Sequence, residues 1–130
     1  MKQKLLSISI GVGLLVAGAL PMLAHHSLSA EFDQSKPINF TGTVKQVNWG
    51  NPHIYTLVET KEGDKMVVYR VEGQSPSDLY RNGWLADTLK PGDAVAVRGI
   101  RAKNPESTNI GSASITKGGT AVFSGQGPAK

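Results

Sequence analysis

The sequence predicts an all-β fold: an OB-like, closed or partly open barrel of five to six strands, with one short helix between strands three and four. Three observations predict it. Short runs of β-branched and aromatic residues recur from Phe40 onward, clusters of Gly, Pro, Asn and Asp separate them, and a single capped helical segment interrupts the series. Closing the sheet would also remove the unpaired strand edges that a small chain has few other means of covering. A six-stranded sandwich or a distorted β-roll is the alternative for the same order of elements.

Each element has a local cause. Phe40 to Trp49 is rich in Val and Thr and reads as the first strand, and Trp49-Gly50-Asn51-Pro52 ends it in a turn cluster. Ile54 to Glu59 is the second strand, followed by a polar loop at Lys61-Glu62-Gly63-Asp64 of hairpin length. In the third, Met66 to Glu72, Val67, Tyr69 and Val71 alternate onto one face. Ser75 can cap a helix, Pro76 suits its first turn, Asp78 is a short relative of the capping-box Glu, and Gly83 closes it. Tyr80 and Trp84, four apart, are expected to share a packed face, which Leu85 and Leu89 continue. Lys90-Pro91-Gly92-Asp93 is a strong turn before the fourth strand, Ala94 to Ile100, with Val95 and Val97 inward. Arg101 to Asn109 reads as a long polar loop, Ser112 to Thr116 as the fifth strand, and Gly118-Gly119 as a turn into a short Ala121-Val122-Phe123 segment.

Composition bounds the function. The 130 residues include no cysteine and carry a formal net charge of +4. Fifteen of the first 24 residues are apolar, behind Lys2 and Lys4 and ahead of Pro21. That order is the pattern of a secretory signal peptide, and its apolar run is too short to span a membrane stably. Cleavage after Ala24 is expected, because Pro21 sits well for the turn before the cut; Ala17-Gly18-Ala19 offers an alternative site. The expected organisation is a signal peptide at 1–24, an extended arm at 25–37, a barrel at 38–124 and a disordered tail at 125–130. Losing Lys2 and Lys4 lowers the net charge to +2. The length excludes a multidomain enzyme, and the missing cysteines exclude a disulfide scaffold and a zinc–cysteine centre. No transmembrane span is expected after cleavage, and the protein is expected to be periplasmic or secreted.

The chemistry-bearing residues fall near one loop. All three histidines lie between positions 25 and 53. Cleavage at Ala24 would make His25 the first residue, offering its amine and ring nitrogen to one metal ion, with His26 and His53 as further nitrogen ligands. Such a set suits copper(II), which prefers tetragonal N/O sites. Trp49, Asn51 and Tyr55 surround the same loop and could form a ligand or partner surface. Packing of Trp49 and Tyr55 against the barrel end, and of His53 against a backbone carbonyl, is the structural alternative. Arg98, Arg101 and Lys103 form a short basic stretch, of which Arg101 and Lys103 enter the second candidate loop. Glu106 interrupts it, and the low net charge argues against nucleic acid. No Gly-x-Ser-x-Gly elbow, phosphate loop or carboxylate pair with acid/base spacing is present, so catalysis is not expected.

Several of these residues form a joint pattern: Ala24-His25-His26-Ser27 with Phe32-Asp33; Gly42-x-Val44 with Trp49-Gly50-Asn51-Pro52-His53; and Ser75-Pro76, Leu79, Arg81-x-Gly83-Trp84 and Leu89-Lys90-x-Gly92-Asp93. The pattern resembles a family of secreted bacterial domains of unknown function that carry His-His-Ser after the signal peptide and an Asn-Pro-His motif. Leu28 stands where that family usually has Phe. The resemblance implies a small exported β-barrel domain and supplies no activity. The sequence therefore reads as an exported binding module of unknown physiological role, coordinating copper through its N-terminal and loop histidines. The alternative is a non-metal interaction domain that docks an envelope protein partner; a small-ligand carrier is a third reading.

Overall fold

A computed structural model describes residues 29–124 of the chain. By its contacts the chain divides into two units, Met1–Glu31 and Phe32–Lys130. Of the first, only residues 29–31 are described, and they are helical. The expected signal peptide, His25, His26 and the tail lie outside the described residues.

The second unit has six strands and one helix: β1 (Phe32–Asn48), β2 (Tyr55–Glu62), β3 (Lys65–Glu72), α1 (Pro76–Arg81), β4 (Ala94–Ala102), β5 (Asn109–Lys117) and β6 (Thr120–Ser124). The sheet order is β3-β2-β1-β4-β5-β6, and a short parallel pairing of β3 with β5 through Arg70–Asn109 and Val71–Ile110 closes a ring of five strands. This is the expected OB-like barrel, with α1 between the third and fourth strands. The long β1 makes closure geometrically feasible. Its first part pairs with β4 and its last part with β2, so one strand serves two neighbours. Where β1 changes partner, Gly42 lies against the β2 backbone, and any Cβ there would meet the Glu59 carbonyl and Val58.

Bulges decide which residues face inward. Lys45 is an extra residue between the Val44–Val58 and Gln46–Leu57 pairs, which lets both Val44 and Val47 turn toward the core although they are three apart. On β5 the register shifts again opposite Arg98 and Ile100, where Ser112 has φ 46°. The neighbouring Gly111 leaves room for the Phe32 ring, which would lie 2.7 Å from a Cβ at that position. The core contains Val44, Ile54, Val58, Tyr69, Val71, Val95, Val97, Ile110 and Ile115, joined by Leu79, Trp84 and Leu89 from the segment between β3 and β4.

Several expectations shift. β1 begins at Phe32 rather than Phe40, because the polar residues Asp33 to Lys36 lie in a register irregularity between the Phe32–Ala102 and Pro37–Ile100 pairs. β5 begins at Asn109 rather than Ser112, because Asn109 and Ile110 are the residues that pair with β3. The expected loop from Arg101 is correspondingly shorter, since Arg101 and Ala102 still belong to β4. Tyr80 and Trp84 do not share a helix face: α1 ends at Arg81, leaving Tyr80 53 % exposed and Trp84 buried. Leu85 is exposed as well, whereas Leu89 is buried.

The helix itself forms as its caps dictate. The Ser75 hydroxyl accepts a hydrogen bond from the Asp78 N–H, Pro76 occupies the first turn, and Gly83 follows with φ 85°.

Candidate functional site

The β2–β3 hairpin turns on two residues, Gly63 and Asp64, and pairs from Glu62–Lys65 down to Tyr55–Glu72 without a register shift. Backbone bonds continue past the strand ends. Gly73 N donates to Ile54 O at 2.8 Å, and Ile54 N donates to Gln74 O at 3.0 Å. This continuation fixes His53 beside Gly73 although it precedes β2 in the chain.

The His53 ring bonds that backbone, the structural alternative expected for it, and the bond also orients the ring. Its Nδ1 lies 3.0 Å from the Gly73 carbonyl oxygen. A carbonyl can only accept, so Nδ1 carries the proton and donates. In the neutral ring, Nε2 then holds the lone pair, and it lies 3.6 Å from Glu72 Oε1. The His53 side chain is 41 % exposed and that of Glu72 is 18 % exposed. The two groups therefore present a nitrogen and an oxygen donor side by side at the surface, with the ring held from behind. A protonated His53 would instead form an ion pair with Glu72.

Tyr55 stands opposite Glu72 in the β2–β3 register. The Arg70 guanidinium lies over the Tyr55 ring, 3.4 Å from its centroid, and Arg70 N donates to Thr108 O at 3.0 Å. Arg70 thus connects the outer face of the hairpin to the loop between β4 and β5. Cation–π attraction and the flat guanidinium hold this stack together.

Trp49 takes another direction. Its ring stacks on Tyr80 with centroids 5.5 Å apart and an interplanar angle of 25°, and meets Trp84 at 5.6 Å. It packs on the helical segment while remaining 36 % exposed. Asn51 is exposed in the same loop, in a cis peptide with Pro52.

Arg101 is engaged elsewhere. Its Nη2 lies 3.3 Å from Glu62 Oε1, and its guanidinium lies 5.5 Å from the Tyr69 ring centroid. Tyr69 O–H donates to the same Glu62 oxygen. Burial, reinforced by that carboxylate, pushes the Tyr69 hydroxyl above its ordinary pKa. This trio ties the hairpin tip to β4. Lys103 is exposed in the loop beyond it.

The structure thus places His53 beside Glu72, with Tyr55 opposite Glu72 in the register, and sets Arg101 in a separate network. Among the described residues no three His, Cys, Asp or Glu side chains gather into a metal-binding group. Glu72 and Arg70 were not singled out by the sequence pattern. The signal that exposes them is the length of the hairpin turn: a two-residue turn places Tyr55 opposite Glu72 and Leu57 opposite Arg70. Reading Lys61 to Asp64 as a four-residue loop hides those pairs.

Among the described residues no helix is long and apolar enough to cross a membrane. No curated protein and no solved structure matches the chain significantly. Residues 13–112 match the model described as a family of unknown function, DUF6152, and the chain belongs to that family.

Proposed function

We propose that this protein is an exported binding module that holds a divalent metal ion, copper(II) first, at His53 and Glu72. The observation that carries the reading is the Gly73 carbonyl behind His53 Nδ1, which directs Nε2 outward beside a carboxylate oxygen 3.6 Å away. Metal-ligating histidines commonly have their second nitrogen held in this way, which fixes the tautomer and raises ligand basicity. Two metal bonds of about 2.0–2.2 Å span a 3.6 Å separation. Imidazole and carboxylate are N/O donors, and copper(II) heads the divalent affinity order for such ligands. The sequence offers His25 and His26 as candidates for further nitrogen ligands. This module binds; no redox turnover is assigned to it.

Elemental analysis of the protein recovered from the envelope after expression of the full chain tests the reading. Copper near one equivalent, lost in His53→Ala and reduced in Glu72→Gln, is the expected result. Metal content unaffected by His53→Ala removes His53 from the site and overturns it. Cleavage after Ala19 instead of Ala24, found by N-terminal sequencing, removes only the terminal-amine version. The half-exposed Trp49–Tyr80 stack favours a second reading, docking onto an envelope protein partner through the loop from Trp49 to His53. Crosslinking at Trp49 that captures one specific envelope protein, with no metal in the purified sample, would support that reading over the first.

A further inference from the structure

We propose that the outer face of the β2–β3 hairpin is a receptor for a small amphipathic anion, with Arg70 gripping its head group and Leu57, Val68 and Met66 lying along its apolar body. The inference stands apart from the metal reading and uses different residues.

Arg70 carries the first half. Its guanidinium is stacked on Tyr55 at 3.4 Å, which holds it in one orientation. Among the described residues, no carboxylate lies within 4 Å of it; Arg98 likewise has none and bonds Asn39 instead, whereas Arg81 and Arg101 each pair with an acid. The acid on the same face of β2, Glu59, is occupied: it pairs with Lys45 at 3.2 Å. A half-buried, pre-oriented guanidinium keeps its fork of N–H donors for an external oxyanion, and carboxylate and phosphate both fit that fork.

The apolar surface beside Arg70 carries the second half. The outward residues of β3 run Met66, Val68, Arg70, and Leu57 stands opposite Arg70 on β2. Val68 is 40 % and Met66 60 % exposed, with Glu59 and Lys61 opposite them on β2. From Arg70 to Met66 the strand covers about 13 Å, roughly the length of an extended ten-carbon chain. A cation at one end and bare apolar side chains beyond it match a ligand with one anionic head and an aliphatic or aromatic body.

Isothermal titration of the protein recovered after full-chain expression tests this with three probes: sodium decanoate, decyl phosphate and decanol. Decanoate or decyl phosphate should bind, and whichever binds more tightly identifies the head group; decanol should bind at least about tenfold more weakly. Arg70→Gln should weaken the anion about tenfold or more, and Arg70→Lys several-fold, because an ammonium lacks the fork. The double variant Val68→Thr, Met66→Gln should weaken it several-fold, and His53→Ala should leave it unchanged, which separates this site from the metal. Thermal unfolding of each variant confirms the folded state, and Arg70→Lys serves if Arg70→Gln does not fold. Decanol binding as tightly as decanoate, anion affinity unchanged in folded Arg70→Lys and Arg70→Gln, or no binding of either anion by the folded wild type overturns the proposal.

Discussion

On its inner face the β2–β3 hairpin presents Thr56, Val58, Tyr69 and Val71, all buried. Two of its polar groups are answered within the fold: Thr60 Oγ1 donates to Thr41 O at 2.7 Å, and Tyr69 donates to Glu62. On its outer face the same two strands carry Tyr55, Leu57, Arg70, Glu72 and the exposed Val68 and Met66. The inner face satisfies the chain's own needs. The outer face carries a guanidinium with no acid partner among the described residues, apolar side chains in water and an imidazole held by the Gly73 carbonyl. Residues that stabilise nothing obvious are where binding is to be sought.

The contrast can be broken by substitution. Removing an inner side chain should cost most: Ile54→Ala should destabilise by about 2–5 kcal/mol in chemical denaturation, since Ile54 is almost completely buried. Tyr69→Phe keeps the ring and deletes one hydrogen bond to a partly exposed carboxylate, so a loss of about 1 kcal/mol is expected. Arg70→Gln removes only an exposed-side stack and should cost under about 1 kcal/mol in the same assay. A loss at Arg70 as large as that at Ile54 would make the outer face structural.

A smaller effect comes from outside the hairpin and calibrates the comparison. Asp93 accepts hydrogen bonds from Lys117 Nζ and Lys90 N, both at 2.8 Å, and these hold its carboxyl below the ordinary 3.8. The folded state therefore binds the proton less readily than the unfolded chain does. Its stabilisation is complete above pH 3.8 and disappears as the pH falls through the lower folded value. Asp93→Asn should flatten that acid limb of the stability curve while leaving the rest of the pH profile unchanged.

The barrel was legible because its inner residues obey simple alternation. Val67, Tyr69 and Val71 share one face, as do Val95 and Val97, and Ser75-Pro76 marks the helix start without help from tertiary contacts. The early start of β1 was hidden, because Asp33 to Lys36 are as polar as a loop and only the pairing of Phe32 with Ala102 makes them part of a strand. Trp49, Tyr55 and His53 were visible as unusual residues near a turn. Their partners were not: Glu72, Arg70 and Tyr80 become neighbours only when the hairpin register and the end of α1 are known. Arg101 looked like a ligand residue because the sequence shows its charge and not the Glu62 carboxylate beside it.

Electron paramagnetic resonance of the protein purified after full-chain expression and loaded with one equivalent of copper(II) tests the proposed site most directly. A tetragonal signal with nitrogen hyperfine splitting is expected, one nitrogen of which is lost in His53→Ala, with altered parameters in Glu72→Gln. A spectrum identical in wild type, His53→Ala and Glu72→Gln would contradict it.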